Sequence, residues 1–140
     1  MIAHAQFAEQ LNELVGIPFR HQGRNAQGGV DCVGLPYLAA TLCGLEMQQT
    51  PLYTLQPTEQ QLTDGLAMFC DRVDDASQAH IWQVPFPGGM RHIMCPIEDV
   101  DDGTLCVQAN SRRGQVVRTL WRRSCVASWV LRGVEWRAPQ

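Results

Sequence analysis

The sequence contains no lysine, no long apolar run and no excess of positive charge. All 11 basic residues among its 140 are arginine, which we attribute to coding bias rather than to function. The formal net charge is −3, so the chain lacks the basic surface that is typical of nucleic-acid-binding proteins. We therefore expect no nucleic-acid partner.

Segments that direct a chain to a membrane or to export are also lacking. The longest mostly apolar stretch, about residues 32–47, is shorter than the ~20 residues of a membrane-spanning helix, and Pro36 interrupts it. Residues 1–15 carry Glu9 and Glu13 and lack the basic start and apolar centre of a signal peptide. We expect a protein that is cytoplasmic on synthesis and has no membrane partner.

The six cysteines do not form a disulfide or zinc pattern. A disulfide scaffold is the less favoured interpretation, because there is no export signal and the chain is long enough to fold unaided. Cys43, Cys95 and Cys106 have apolar neighbours, which is typical of buried free cysteines. There is no Cys-x-x-Cys, and His92 and Cys95 would face opposite sides of a strand. We expect no metal.

The first half of the chain has helical periodicity. Helices are predicted over residues 2–15, from Cys32 or Val33 to Gly44, and from a capping box at 58–61 onward. The apolar faces expected to be buried consist of Phe7, Leu11, Leu14 and Val15 in the first helix, Leu35, Leu38 and Leu42 in the second, and Leu62, Leu66 and Phe69 in the third.

The second half consists of short segments rich in β-branched and aromatic residues. Strands are predicted over residues 79–86, 91–97, 104–110, 115–120 and 125–136, separated by Pro-Gly-Gly, Asp-Asp-Gly and Arg-Arg-Gly turns. Helices followed by strands predict a single α+β domain over residues 1–140. Its helices would pack on one side of an antiparallel sheet.

The most informative stretch is the glycine-rich loop that precedes Cys32. Residues 16–35 read GIPFRHQGRNAQGGVDCVGL, so Cys32 stands where the loop gives way to an apolar, helical segment capped by Asp31. A helix start presents unpaired N–H groups and the positive end of the helix dipole. We expect the thiol to lose its proton readily and to act as a nucleophile, while the same N–H groups stabilise an oxyanion.

A nucleophilic cysteine needs a base, and the chain offers four histidines. His4 lies near the terminus, and His80 begins a strand without an obvious partner. His21 is close to the cysteine in sequence and is expected to line the same cleft. His92 is the strongest candidate because it begins an apolar strand, residues 93–97, that would hold the ring rigidly. A lone histidine at a strand start also has a structural interpretation.

The motifs around Cys32 and His92 resemble those of the NlpC family of papain-like cell-wall cysteine peptidases. GIPFRHQGR followed by GVDCVGL is similar to the family's cysteine signature, above all in the phage-encoded branch described as phage cell-wall peptidases or tail assembly proteins. The resemblance extends over about residues 8–133. It implies a papain-like fold with the nucleophile, Cys32, at a helix N-terminus, and His92 as the base.

In this family a third polar residue, on the next strand, orients the histidine. The sequence VQAN at 107–110 resembles that motif and implies Gln108 as the third residue, with Asn110 as the alternative. The Gln108 carbonyl can accept a hydrogen bond from one ring nitrogen of His92 while the other nitrogen faces the sulfur. The further residues that we expect in the cleft are Phe19, Arg20, His21, Asp31, Val33 and Arg91.

The resemblance implies hydrolysis of peptidoglycan stem peptides at a γ-D-glutamyl–diamino acid bond, without a cofactor. A phage or prophage origin would add phage tail proteins as partners and association with the virion. The chain departs from the family at Phe19, where tyrosine is common, at residues 77–79, and at the bulky Met94 and Cys95. Two alternatives therefore stay open: a structural tail-assembly module with a vestigial cleft, and an intracellular thiol amidase or acyltransferase.

Overall fold

Three α-helices precede the main sheet in the computed structural model, which describes residues 1–55, 57–86 and 90–137. They are α1 (His4–Glu13), α2 (Gly34–Leu42) and α3 (Glu59–Ala67), and a 3-10 helix follows at Ala76–Gln78. The capping box of α3 is formed: Gln61 N–H donates to Thr58 Oγ1 at 3.1 Å, and Thr58 N–H donates to Gln61 Oε1 at 3.1 Å.

The described strands form a two-stranded ribbon and a six-stranded antiparallel sheet. The ribbon pairs β1 (Arg24–Asn25) with β2 (Gly29–Val30) just before α2. The sheet contains β3 (Cys70–Val73), β4 (Ile81–Phe86), β5 (Met90–Val100), β6 (Gly103–Asn110), β7 (Gln115–Trp121) and β8 (Ala127–Leu131). Its spatial order is β3-β8-β4-β5-β6-β7, so β5 and β6 are neighbours inside the sheet.

The two faces of the sheet bury different side chains. One face packs on the helices, and its core cluster contains Phe7, Leu11, Leu35, Leu62, Leu66, Ile81, Ile93, Cys95, Val107 and Ala109. The other face carries a smaller cluster with Trp82, Val84, Met94 and Cys106. Strand alternation therefore assigns Ile93 to the helical side, and His92, paired with Val84 in register, to the side of Met94.

The predicted α+β architecture, with helices on one side of an antiparallel sheet, is confirmed. The helix predictions are wrong for Val15 and Leu42, which are exposed. Leu42, 50% exposed, is the last residue of α2 and lies one turn beyond the buried Leu38. Helix α2 begins at Gly34, slightly later than expected, because Cys32 and Val33 form the turn that leads into it.

The strand predictions identify β4 to β8, with shifted ends, but miss β1, β2 and β3. Strands β1 and β2 have two residues each, which is too short for a visible alternation. Strand β3 reads Cys-Asp-Arg-Val and pairs only with β8 in the described sheet, at its edge. The predicted Pro-Gly-Gly turn falls on residues 87–89, outside the described residues.

All six cysteines are free thiols, as the composition favoured. Cys70, Cys95 and Cys106 are buried, whereas Cys43 is half-buried because it follows the exposed C-terminal end of α2. Within the described part of the chain, no helix has both the length and the apolar character needed to cross a membrane.

Replacing the capping threonine should destabilise the fold measurably. We expect Thr58→Ala to lower the free energy of unfolding by about 1 kcal/mol, because the N–H of Gln61 loses its acceptor. Thr63→Ala, inside the same helix, is the matched control and should leave stability unchanged or slightly higher, since alanine has the higher helix propensity. Chemical denaturation measures both; equal losses would contradict the cap.

Candidate active site

Cys32 lies in the turn between β2 and α2. The Asp31 side chain closes the start of α2 by accepting the N–H of Gly34 at 2.8 Å. The backbone N–H groups of Ile93 and Val33 both point to the Cys32 sulfur and favour its anionic form. The sulfur is therefore held between the start of a helix and the backbone of β5.

Behind the cysteine, the Asp31 carboxylate is almost fully buried, with 3% of its surface exposed. Its Oδ2 accepts the backbone N–H of Gln22 at 2.8 Å and the hydroxyl of Tyr53, and its Oδ1 accepts Arg24 Nη1 at 3.0 Å. Gln22 has a φ of 62°, in the left-handed region that non-glycine residues rarely adopt. Two hydrogen bonds compensate for that conformation: the Gln22 N–H donates to Asp31, and Gln22 Oε1 accepts the N–H of Tyr53 at 2.9 Å.

Arg24 joins this carboxylate to the irregular segment after α2. Its Nη2 donates to the Tyr53 hydroxyl at 3.0 Å and to Thr50 Oγ1 at 2.9 Å, while the guanidinium lies 5.6 Å from the centre of the Tyr37 ring. The segment around residues 50–53 is thus fixed to the residue that precedes the nucleophile.

His92 and Gln108 are hydrogen-bonded across β5 and β6. His92 Nε2 lies 2.7 Å from Gln108 Oε1, and Gln108 Nε2 donates to Thr119 Oγ1 at 2.9 Å. Because an amide oxygen only accepts, Nε2 of the ring carries the hydrogen in this bond and Nδ1 keeps its lone pair. The Phe86 ring packs on the imidazole with centroids 4.8 Å apart, which restricts its rotation.

The structure distinguishes Gln108 from the alternative third residue, Asn110. The Asn110 carbonyl oxygen accepts the backbone N–H groups of Arg112 at 3.0 Å and Arg113 at 3.1 Å. Asn110 therefore stabilises the turn between β6 and β7, and Gln108 is the residue bonded to the imidazole.

Burial favours the uncharged forms of both candidate catalytic groups. It raises the pKa of the Cys32 thiol to about 12; the Asp31 carboxylate adds to the rise, and the Ile93 N–H, Arg24 and the Val33 N–H oppose it. Burial also lowers the pKa of His92, and the hydrogen bond that the ring donates to Gln108 opposes this. The helix start acts in the expected direction, but desolvation outweighs it, so the free site contains a thiol and a neutral imidazole.

Cys32 and His92 open into one cleft of about 210 Å³. It is lined by Phe19, Cys32, Leu55, Pro57, Phe86, Arg91, His92, Ala109, Asn110, Ser111 and Arg112. A second cavity of about 350 Å³, near Trp82 and Cys125, contains neither Cys32 nor His92.

The residues expected in the cleft divide into two groups. Phe19 and Arg91 line it together with Cys32 and His92. Four others lie outside the lining: Arg20 is exposed, His21 packs edge-on against Tyr53, Asp31 is buried in the network behind the nucleophile, and Val33 is a core residue. Gln22 and Arg24 of the loop bind Asp31, which is consistent with the position of Asp31 outside the cleft.

Four residues of the candidate site were not predicted from the sequence: Arg24, Tyr53, Thr119 and Arg112. Thr119 could have been predicted from the sequence, because the Arg-Arg-Gly turn predicts a hairpin whose register brings β7 beside Gln108. Tyr53 lies 22 residues from Asp31 in an irregular segment, and no local pattern indicates the pairing. Among the described residues, no group of three or more His, Cys, Asp or Glu is arranged to hold a metal ion.

Comparison with known proteins identifies a similarity in fold. Neither the protein-family models nor the curated proteins include a match to this chain. Among solved structures, the chain is similar to the NlpC/p60 domain of the peptidoglycan hydrolase SagA, with a TM-score of 0.52 and 17% identity over 91% of this chain and 97% of that one. At this identity the likeness establishes the fold alone, which is that of an NlpC/p60 domain.

The uncharged state of Cys32 and His92 can be tested by following thiolate absorbance in the far ultraviolet as the pH rises. The difference between wild type and Cys32→Ala isolates this sulfur. Because burial raises its pKa, we expect no difference at neutral pH and a difference only in strongly alkaline solution. A difference already present at neutral pH, and lost in His92→Ala, would instead establish an ion pair.

The role of Gln108 can be tested through His92. We expect Gln108→Ala to lower turnover about ten- to a hundredfold, the usual effect of removing the partner that orients a functional side chain. It should also lower the pKa of His92 in an NMR titration, because the hydrogen bond that the ring donates to Gln108 raises that pKa. Gln108→His should be tolerated better than Gln108→Leu.

Gln115→Ala is the matched control, since Gln115 is exposed on β7. An unchanged His92 titration in Gln108→Ala would remove Gln108 from the site.

Proposed function

We propose that this protein is a cysteine peptidase or amidase that hydrolyses peptidoglycan stem peptides. The observation that carries the proposal is the meeting of Cys32 and His92 in one cleft, with Gln108 bonded to the ring nitrogen that is not needed for catalysis. The NlpC/p60 fold, found in the domain of a peptidoglycan hydrolase, supports this substrate class. The resemblance of the cysteine motif supports the γ-D-glutamyl–diamino acid bond and a phage or prophage origin.

The proposed reaction begins from the uncharged pair. Nδ1 of His92 accepts the thiol proton as the Cys32 sulfur attacks the amide carbonyl, so charge develops only when substrate is present. The backbone N–H of Cys32 stabilises the oxyanion. The imidazolium then protonates the leaving amine, the C–N bond breaks, and an acyl thioester forms on Cys32.

Hydrolysis of the thioester uses the same groups in reverse. Neutral His92 takes a proton from water, the hydroxide adds to the acyl carbon, and the C–S bond breaks. The proton returns to the sulfur, so one water is consumed for each amide bond cleaved. Gln108 supports both steps because its carbonyl accepts from Nε2–H whether the ring is neutral or charged.

The proposal is tested with purified stem peptides and mass spectrometry of the products. We expect wild type to release a fragment that begins with the diamino acid, and Cys32→Ala to lower the rate by about three orders of magnitude or more. Cys43→Ala is the matched control, because Cys43 is a half-buried thiol outside the cleft and should retain full activity.

The outcomes separate the alternatives. Cleavage of simple amides or esters at Cys32 without cleavage of stem peptides would favour a thiol amidase or acyltransferase. A folded wild-type protein that cleaves neither kind of substrate would contradict the enzymatic proposal and favour a structural module of phage tails.

A further inference from the structure

The cleft at Cys32 has a charge opposite to that of the chain as a whole. The chain carries 14 acidic and 11 basic residues. The described lining of the cleft nevertheless includes two arginines, Arg91 and Arg112, and no carboxylate. A cleft with low-dielectric walls and charges of one sign attracts a ligand of the opposite sign.

Arg91 has donors that the protein leaves available. It stands next to His92 on β5, and its side chain is 26% exposed. Its Nε is buried and has no hydrogen-bond partner among the described residues. Its nearest carboxylate is Glu59 at the start of α3, with Nη2 and Oε2 3.7 Å apart and the Glu59 side chain 66% exposed. That distance exceeds a hydrogen bond, and an ion pair this exposed contributes little.

Arg112 is placed at the rim of the same cleft by a fixed turn. Its backbone N–H donates to Asn110 Oδ1 at 3.0 Å, and that bond holds the turn between β6 and β7 beside the cleft. Arg113, the next residue, is equally exposed but does not line the cleft. The turn therefore presents one of two adjacent arginines to a ligand.

We propose that Arg91 and Arg112 bind a free carboxylate of the substrate close to the scissile amide, and so determine a preference for acidic peptides. This inference rests on the proposed function of the cleft. Guanidinium donors pair with a carboxylate through short, charge-assisted hydrogen bonds. A substrate carboxylate replaces Glu59 as the partner of Arg91, because it can reach the exposed end of the guanidinium at hydrogen-bond distance, closer than the 3.7 Å between Nη2 and Glu59 Oε2.

The test uses two alkylating reagents of similar size that differ in charge, iodoacetate and iodoacetamide. Both transfer their methylene carbon to the Cys32 sulfur and release iodide, and peptide mapping measures the rate at this residue alone. The ratio of the two rates reports carboxylate binding. A change in thiol pKa alters both rates alike and cancels in the ratio.

We expect Arg91→Gln to lower the iodoacetate-to-iodoacetamide ratio about tenfold, the effect of losing a charge-assisted hydrogen bond at a half-exposed site. Arg112→Gln should lower it by a smaller factor, because Arg112 lies at the rim. Arg113→Gln removes the same charge outside the cleft and is the matched control. If Arg91→Gln does not fold, Arg91→Lys replaces it; loss of the planar fork should still lower the ratio.

An unchanged ratio in the Arg91 and Arg112 variants would overturn the inference, as would an equal fall in Arg113→Gln, which would indicate a general surface charge effect. The ratio requires no peptide hydrolysis. A ratio that falls as expected in a protein inactive on stem peptides would therefore support the carboxylate site and contradict only the proposed reaction.

Discussion

The buried Asp31 carboxylate is the constraint around which the candidate active site is organised. An ionised carboxylate can leave water only if it is paired and hydrogen-bonded, and removing one partner of such a pair typically costs about 3–5 kcal/mol. Asp31 has four donors: the N–H groups of Gln22 and Gly34, the Arg24 guanidinium and the Tyr53 hydroxyl. These donors come from the glycine-rich loop, the start of α2 and the segment after it, so satisfying one charge brings together the three pieces of chain that position Cys32.

The same carboxylate has an electrostatic cost for the chemistry. It lies beside the sulfur and, together with burial, raises the pKa of Cys32, while Arg24 works in the opposite direction. Arg24 therefore has two roles, since it neutralises the structural carboxylate and reduces the effect of that carboxylate on the nucleophile. A thiol that stays protonated in the free protein also resists adventitious oxidation, because the thiolate is the reactive form.

Sequence reasoning succeeded where the determinants are local. The capping box at Thr58, the helical faces around Phe7 and Leu62, and the position of Cys32 before an apolar helix depend on residues a few positions apart. It failed where distant segments decide the outcome. The low pKa of Cys32 was predicted from the helix start alone, without the desolvation that burial produces. His21 and Asp31 were predicted to line the cleft, but both contact Tyr53, which no local pattern connects to them.

The hydrogen-bonded series from His92 through Gln108 to Thr119 contains no ionised group when the ring is neutral. Many catalytic histidines are backed by a carboxylate, which stabilises the imidazolium through its negative charge. Here the backing groups are an amide and a hydroxyl, so a proton on His92 is balanced only by negative charge on the sulfur or on the reacting carbonyl oxygen. In the proposed reaction, the lifetime of the imidazolium is therefore tied to that of the anion it faces, and the site returns to neutrality when the leaving group departs.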